Sequence, residues 1–228
     1  MVTALVRRVA RRVKRMIVGA PPPPRSPAEA WDRRAREYGA RAVYNLNHSE
    51  ADLARVTEMQ RQAIYPHVRA ALRGDERVAL DFGCGPGRFT ADLARMINGR
   101  SIGVDTTRAF IEMAPRIEGV EFRVMPPGRI PADDGEVDLL WVCLVLGGIV
   151  EDHVLKSSIA ELDRVLKPGG LLVLIENTSN NADAAHWRFR TVEAYQGLVP
   201  FAKLELKGDY EDSAERISIM IGRKTTQP

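Results

Sequence analysis

Apolar and polar residues alternate in short blocks over most of the chain, and the period of the pattern changes near residue 75. Beyond that point, short apolar runs rich in β-branched residues indicate strands, and the amphipathic stretches between them indicate helices. The predicted strands are 77–82, 101–104, 121–124, 137–144 and 171–175, then 201–206 and 216–221 joined by an acidic loop at 207–215. This alternation predicts an α/β protein with a doubly wound, mostly parallel sheet of seven strands, of which the last two form an antiparallel hairpin.

The residues before 75 show helical periodicity instead. Apolar positions recur at helical spacing in 5–18, from Pro27 through Tyr38, and from about Glu50 to Leu72. The prolines at 21–24 separate the first stretch from the second, because proline cannot continue a helix. The sequence therefore divides into a basic amphipathic tail with a proline-rich spacer (1–26), an N-terminal helical cap (27–74) and an α/β domain (75–228).

The positive charge of the chain is concentrated at its start. Seven basic residues precede the first acidic residue, Glu29, so the formal net charge of +3 becomes −4 when these seven are left out. A mildly acidic body argues against a nucleic-acid partner, because recognition of a phosphate backbone needs a basic patch on the domain itself. The basic stretch at 5–18 has three interpretations: a peripheral contact with the inner membrane surface, a stripe packed on its own domain, or a solvated tail.

Composition indicates a cytoplasmic protein. The chain is 45% hydrophobic and 28% charged, which is typical of globular proteins in water. No uninterrupted apolar run reaches the roughly 18 residues that span a bilayer. The two cysteines, Cys84 and Cys143, lie in apolar, strand-like surroundings and are expected to be reduced thiols. The sequence leaves the oligomeric state open.

A glycine-rich turn follows the first predicted strand and precedes a helix. Gly83 and Gly85 let the backbone turn tightly with no β-carbon in the way of a ligand, and Gly87 lets the helix approach the strand. Dinucleotide-binding proteins use a similar turn to hold a pyrophosphate. Asp81 argues against a pyrophosphate here, because a carboxylate repels a diphosphate and accepts hydrogen bonds from an ammonium group.

The second predicted strand runs directly into an acidic residue, Asp105. A carboxylate at this place can accept hydrogen bonds from both hydroxyls of a ribose, as adenosine binding requires. The same side chain can also cap the next helix, and the two roles are compatible. Together with the glycine turn, this strand end indicates a ligand that has an amino-acid end and an adenosine.

Over roughly residues 77–177 the chain resembles the class I S-adenosylmethionine (SAM)-dependent methyltransferases. Besides the turn and Asp105, the segments 134–140 and 162–170 carry the resemblance. In the second segment, Pro168 ends a helix and the two glycines after it supply the turn into the fifth strand. The resemblance implies a Rossmann-like fold, SAM as the cofactor and methyl transfer to a small molecule as the activity.

The resemblance also implies a cofactor site. The glycine turn would surround the methionine part of SAM, the acid of the second strand would hold the ribose, and the end of the fourth strand would line the pocket near the transferred methyl group. The cofactor-binding residues are then Asp81, Gly83, Cys84, Gly85, Gly87, Asp105, Thr106, Met125, Pro126, Cys143 and Leu144. The chain departs from the family after the third strand, where it lacks an acid for the adenine amine, so Met125 and Pro126 are expected to pack on the adenine.

A hydroxyl acceptor must lose a proton, and histidine is suited to take it near neutral pH. The candidates are His48 in the predicted cap, His153 after the fourth strand and His186 after the fifth strand. Of these, His153 is predicted first as the catalytic base and His186 second. Asp152, His153 and Glu176 are also suitable ligand types for a divalent cation. Their spacing is not compact, so no metal site is predicted.

Aromatic and basic residues indicate where a substrate binds. The predicted substrate-binding residues are Tyr44, His48, Trp187, Arg190 and Tyr195. For the first two, capping of the next helix is slightly favoured over contact with a ligand. The aromatic residues of a helix predicted at 186–195 are equally suited to core packing. By resemblance, a similar aromatic segment occurs in bacterial methyltransferases that act on saccharides or glycolipids. The predicted function is O-methylation of such a small molecule or glycan, with N- or C-methylation of a metabolite and a non-catalytic SAM-binding module as alternatives.

Overall fold

The computed structural model describes residues 26–126 and 128–226. The predicted tail at 5–18 and the prolines at 21–24 lie outside the described residues. The strands are β1 (Val78–Phe82), β2 (Arg100–Asp105), β3 (Val120–Val124), β4 (Val137–Cys143), β5 (Leu166–Asn177), β6 (Glu205–Asp212) and β7 (Glu215–Arg223). The α-helices are α1 (Pro27–Tyr38), α2 (Leu53–Ala71), α3 (Thr90–Ile97), α4 (Arg108–Met113), α5 (Asp152–Val165) and α6 (Val192–Leu198).

Within the described chain these strands form one sheet in the order β3-β2-β1-β4-β5-β7-β6. β1 to β5 are parallel to their neighbours in that set, and β7 pairs antiparallel with both β5 and β6. The predicted α/β class and doubly wound, mostly parallel seven-stranded sheet are confirmed. The strand order reverses between β1 and β4, and ligands of such sheets bind beyond the carboxyl ends of the strands at that point.

Both faces of the sheet are buried, because helices cover both. Alternate residues of β4 enter opposite cores: Leu140 and Val142 pack in one cluster with Leu162 of α5, whereas Trp141 packs in the other with Ile64 of α2. This two-sided burial explains why β4 is a continuous apolar run in the sequence. Among the described residues, no helix has the length and apolar character that crossing a membrane requires.

The N-terminal helices cover the sheet at two places. α1 packs against α4 through Ala35 and Phe110, with the ring of Trp31 6.4 Å from that of Phe110. α2 packs against β6 and β7, at the opposite end of the strand order from β2 and β3. α1 begins at Pro27 after Ser26, whose hydroxyl accepts a hydrogen bond from the backbone N–H of Glu29. The predicted boundaries of both helices are confirmed to within a few residues.

The hairpin differs from the prediction. We expected a strand at 201–206 and an acidic loop at 207–215, but β6 runs from Glu205 to Asp212 and a two-residue turn follows it. Charged residues are accommodated in β6 because it is an edge strand with one face in water. The turn residues Ser213 and Ala214 have φ of 54° and 65°, a conformation that glycine or asparagine usually occupies. No turn signal therefore marks this site in the sequence.

The helix predicted at 186–195 is also wrong. α6 begins only at Val192, because the side chain of Thr191 caps it by accepting a hydrogen bond from the N–H of Ala194. The residues before it form an irregular segment in which Ala184 and Trp187 make an isolated bridge. This segment brings the indole of Trp187 onto the loop after β4.

Truncating a side chain of this core should cost far more stability than truncating an equivalent surface side chain. Leu140 of β4 is fully buried, and Leu206 of β6 is 43% exposed. We expect Leu140→Ala to lower the free energy of unfolding by about 3 kcal/mol, and Leu206→Ala to change it by about 0.5 kcal/mol or less. Urea denaturation of both variants measures this, and equal losses would contradict the assignment of the core.

Candidate active site

The carboxyl ends of several strands meet at one edge of the sheet. β1 is parallel to both β2 and β4, and β4 is parallel to β5, so these strands end side by side. β7 runs antiparallel to β5 with Ile217 opposite Asn177, so the turn between β6 and β7 lies at the same edge. The glycine turn, the end of β4 and the hairpin turn therefore border the place where a ligand is expected.

The glycine turn has the backbone conformation that its sequence predicts. Gly83 and Gly85 have φ of 70° and 56°, in the left-handed region that favours glycine. A β-carbon on Gly83 would lie 2.5 Å from the side chain of Val145, and one on Gly85 would lie 2.7 Å from that of Val43. The loop after β4 and the N-terminal cap thus close on the turn from two directions, and a larger residue would displace them.

Asp105 ties the end of β2 to the glycine turn. Its carboxylate accepts hydrogen bonds from the backbone N–H groups of Gly85 (2.9 Å) and Thr107 (2.8 Å), one on each oxygen. The residue is buried, and this burial raises the pKa of its carboxyl group. Each carboxylate oxygen can accept a second hydrogen bond, so two adjacent hydroxyl groups of a ligand can donate to this pair of acceptors.

Asp81 is a second buried carboxylate at the same edge. It accepts a hydrogen bond from the hydroxyl of Thr90, the first residue of α3, at 2.6 Å. Burial raises the pKa of Asp81 to about 7, although the positive charge of Arg88 acts in the opposite direction. The guanidinium of Arg88 lies 4.6 Å from the ring centre of Tyr44 in the cap. Arg88, directly after the glycine turn, thus contacts the predicted residue Tyr44 and acts as a charge on Asp81.

Residues 80–174 match the family model for a methyltransferase domain. The matched segment runs from β1 to β5 and contains the glycine turn, the acid at the end of β2 and the loop after β4. Solved structures with the same fold include SAM-dependent methyltransferases. Residues 80–174 thus match a methyltransferase domain, and their fold is that of SAM-dependent methyltransferases.

Two curated relatives match about half of the chain. A demethylmenaquinone methyltransferase from Staphylococcus saprophyticus is 30% identical over 106 residues, which are 44% of this chain and 44% of the relative. A trans-aconitate 2-methyltransferase from Methylobacterium radiotolerans is 34% identical over 125 residues, which are 52% of this chain and 44% of the relative. The chain spans less than half the length of each of these relatives, so the similarity concerns the methyltransferase domain.

The fold extends beyond that domain. The crystal structure of a geranyl diphosphate C-methyltransferase from Streptomyces coelicolor, in complex with Mg2+, geranyl-S-thiolodiphosphate and S-adenosyl-L-homocysteine (SAH), superposes with a TM-score of 0.63 at 17% identity. The alignment covers 90% of this chain and 100% of that chain. At such a low identity the similarity concerns the fold alone.

Glu176 near the end of β5 fixes the loop that follows β4 of the methyltransferase domain. One carboxylate oxygen accepts hydrogen bonds from the N–H groups of Val145 (2.9 Å) and Leu146 (2.7 Å). The other accepts from the N–H of Gly147 and from the hydroxyl of Tyr195, both at 3.3 Å. These bonds hold Val145 against the glycine turn. Sequence reasoning considered Glu176 only as a metal ligand, although a strand-end acid, like that of β2, was the available signal.

Three of the predicted substrate-binding residues lie against this loop. The indole of Trp187 packs on Gly147, where an added β-carbon would be 2.3 Å from the ring. Arg190 donates a hydrogen bond to the carbonyl of Leu146 at 3.2 Å, and Tyr195 is fully buried. These three residues stabilise the loop through packing and hydrogen bonds. Their role toward a substrate stays a prediction.

The histidines are placed very differently from one another. The side chain of His153 is 80% exposed and its nearest charged partner is Glu151, at 3.7 Å. His186 is also exposed. The side chain of His48 is only 15% exposed, and its Nε2 lies 2.5 Å from Oδ1 of Asp212. The structure thus gives a buried carboxylate partner to the histidine of the cap rather than to the two predicted bases, whose role stays a prediction.

The other predicted cofactor residues surround the same edge. Thr106 and Pro126 are exposed there, and Met125 packs partly on the core while its N–H donates to the carbonyl of Asp105 at 2.8 Å. Desolvation raises the pKa of Cys143 to about 12, so this thiol is protonated at neutral pH. Within residues 26–126 and 128–226, no three metal-ligating side chains are grouped to hold an ion.

The buried charge of Glu176 makes stability depend on pH. Burial raises the pKa of Glu176 in the folded state to about 7, from an ordinary value of 4.5. Between these values the folded protein keeps a proton that the unfolded chain has lost, so the stability contributed by this group falls as pH rises through the window. Between about pH 4.5 and 7 we expect the free energy of unfolding of the wild type to fall by on the order of 3 kcal/mol more than that of Glu176→Gln, because glutamine does not titrate.

Urea denaturation of the wild type and Glu176→Gln at pH 4.5, 5.5, 6.5 and 7.5 measures this difference. Glutamine keeps an oxygen to accept from the loop, so the variant is expected to fold. Asp81 contributes a similar trend to both proteins and cancels in the comparison. Parallel curves for the two proteins would show that Glu176 is already ionised at pH 4.5 in the fold.

Proposed function

We propose that the protein is a SAM-dependent methyltransferase that transfers a methyl group to a hydroxyl group of a small molecule. The observation that carries the proposal is the carboxylate of Asp105, which is buried at the end of β2 and bonded to the glycine turn with acceptor capacity left on both oxygens. In a methyltransferase domain this arrangement suits the two ribose hydroxyls of SAM.

The residues at the edge fit the charge of SAM better than that of a dinucleotide. Asp81 lies beside the turn where a dinucleotide would place its pyrophosphate. The hydroxyl of Thr90, at the start of α3, donates a hydrogen bond to Asp81. A carboxylate there disfavours a diphosphate and favours the ammonium group of a methionine. Asp81 and the glycine turn would hold the amino-acid end, Asp105 the ribose, and the loop after β4 would border the methyl group.

Bound SAM supplies a methyl group that is already activated as part of a sulfonium. The protein must then align the acceptor oxygen with that group and remove the hydroxyl proton. The loop held by Glu176 defines one wall of the space in which alignment takes place. The finer proposal, a saccharide or glycolipid acceptor, rests on the aromatic and basic segment before α6, in which Trp187 packs on Gly147 of this loop.

C-methylation is the second candidate function. It is favoured by the fold shared with a geranyl diphosphate C-methyltransferase. Methylation at carbon of an electron-rich ring also needs deprotonation, so the two candidates make similar demands on the site. The position of a transferred isotope-labelled methyl group, read by NMR of the product, separates them.

The proposal predicts that the protein binds SAM and SAH, and does not bind NAD, in isothermal titration calorimetry. Asp105→Ala removes the acceptor of the ribose hydroxyls and should weaken SAM binding at least about tenfold, because hydrogen bonds to a charged group contribute about 1.5–3 kcal/mol each. Asp209→Ala, which removes an exposed carboxylate of β6, is the matched control and should leave the affinity unchanged. Absence of SAM binding by the wild type would refute the proposed function.

SAM affinity should also depend on the ionisation of Asp81. The pKa of Asp81 is raised by burial to about 7, and a cationic ligand binds the ionised carboxylate in preference to the neutral one. The association constant should therefore rise with pH below 7, by up to about tenfold per pH unit, and level off above it. Asp81→Asn should remove this dependence. An unchanged slope in the variant would assign the pH dependence to another group.

A further inference from the structure

A polar cluster outside the cofactor residues lies at the same edge of the sheet. His48 belongs to the loop between α1 and α2, and Asp212 is the last residue of β6, next to the hairpin turn. Because Ile217 of β7 pairs with Asn177 at the end of β5, this turn stands beside the carboxyl ends of the parallel strands. The cap and the hairpin therefore meet where an acceptor would approach.

His48 and Asp212 form a close pair. Nε2 of His48 lies 2.5 Å from Oδ1 of Asp212 and 3.2 Å from the hydroxyl oxygen of Ser213. The amide of Gln60 donates to the other carboxylate oxygen at 3.4 Å, and Asp212 is buried. Because the carboxylate of Asp212 accepts a hydrogen bond, the ring hydrogen of His48 is placed on Nε2 and a lone pair remains on Nδ1. Nδ1 forms no hydrogen bond with the described residues.

The backbone that carries His48 is held in place. Arg41 donates hydrogen bonds from Nη2 to the carbonyl oxygens of Leu46 (2.9 Å) and His48 (2.6 Å). Ser49 and Asp52 then form a capping box at the start of the next helical turn. The imidazole is therefore presented by a loop that is fixed at both ends, as a reacting group requires.

Polar contacts connect this pair to the cofactor site. Arg88, directly after the glycine turn, donates to Oε1 of Gln60 at 2.6 Å, and Gln60 in turn contacts Asp212. The buried hydroxyl of Tyr210 has no hydrogen bond of normal geometry within the described chain. Its electrostatic neighbours are Cys143 at the end of β4, Arg88, Asp212 and the side chain of Gln60. The pair thus lies near the end of β4, which borders the proposed cofactor site.

We propose that His48 is the catalytic base of methyl transfer to a hydroxyl compound and that Asp212 is its positioning residue. The assignment rests on the proposed function. The acceptor oxygen forms a bond to the methyl carbon, the carbon–sulfur bond of SAM breaks with its electrons remaining on sulfur, and SAH is left. The hydroxyl proton passes to Nδ1 of His48, and the carboxylate of Asp212 stabilises the resulting imidazolium.

The test combines a kinetic and an optical readout. The wild type, His48→Gln and Asp212→Asn are assayed for SAH formation with catechol and methyl α-glucopyranoside as phenol and sugar probes. His67→Gln is the matched control, because His67 lies on α2 beside Gly208, away from the pair. In parallel, 4-nitrocatechol is added to each protein saturated with SAH, and its absorbance reports whether its hydroxyl becomes ionised on binding.

We expect His48→Gln to lower kcat at least about 100-fold, with SAH affinity and the thermal midpoint unchanged. Asp212→Asn should lower kcat with little change in KM, which a merely structural role would not produce. Wild-type protein should bind 4-nitrocatechol as the phenolate, and both variants should bind it protonated. The probe that is methylated distinguishes a phenol acceptor from a sugar.

Three results would overturn the assignment: full activity in His48→Gln, the same loss in His67→Gln, or neither methylation nor ionised binding of any probe by a wild type that binds SAM. A loss of activity in His153→Gln with His48→Gln unaffected would move the base to α5. Failure of the wild type to bind SAM is a different outcome, because it refutes the proposed function itself.

Discussion

The hydrogen bonds from two backbone N–H groups to the carboxylate of Asp105 are the constraint on which the site depends. They join the end of β2 to the glycine turn after β1 and to the residue before α4. The glycine turn then sets how closely Val43 of the cap and Val145 of the loop after β4 can approach its backbone. One buried carboxylate therefore fixes the positions of the elements that surround a ligand.

Buried acids recur along this edge of the sheet. Asp81, Asp105 and Glu176 lie at or near the ends of three parallel strands, and each accepts hydrogen bonds from nearby donors. Burial raises the pKa of all three, so part of the negative charge at the edge is present only near and above neutral pH. A cationic ligand stabilises that charge, which links the electrostatics of this edge to the proposed binding of SAM.

The parallel part of the fold could be predicted because both-face burial makes each strand a continuous apolar run between helices. Asp105 could be predicted because its place at a strand end has a local signature. The turn at Ser213 and Ala214 has no such signature, since neither residue type usually adopts positive φ. The pairing of His48 with Asp212 joins residues 164 positions apart, and only the packing of the cap on the hairpin brings them together.

The central claim is that the carboxylate of Asp105 holds the ribose of the cofactor in a methyltransferase site. A crystal structure of the full chain with SAH tests it most directly. The account predicts that both ribose hydroxyls lie within hydrogen-bond distance of the two oxygens of Asp105, with the amino-acid end beside the glycine turn. SAH bound elsewhere, or a ribose held by other groups while Asp105 keeps only its backbone bonds, would contradict it.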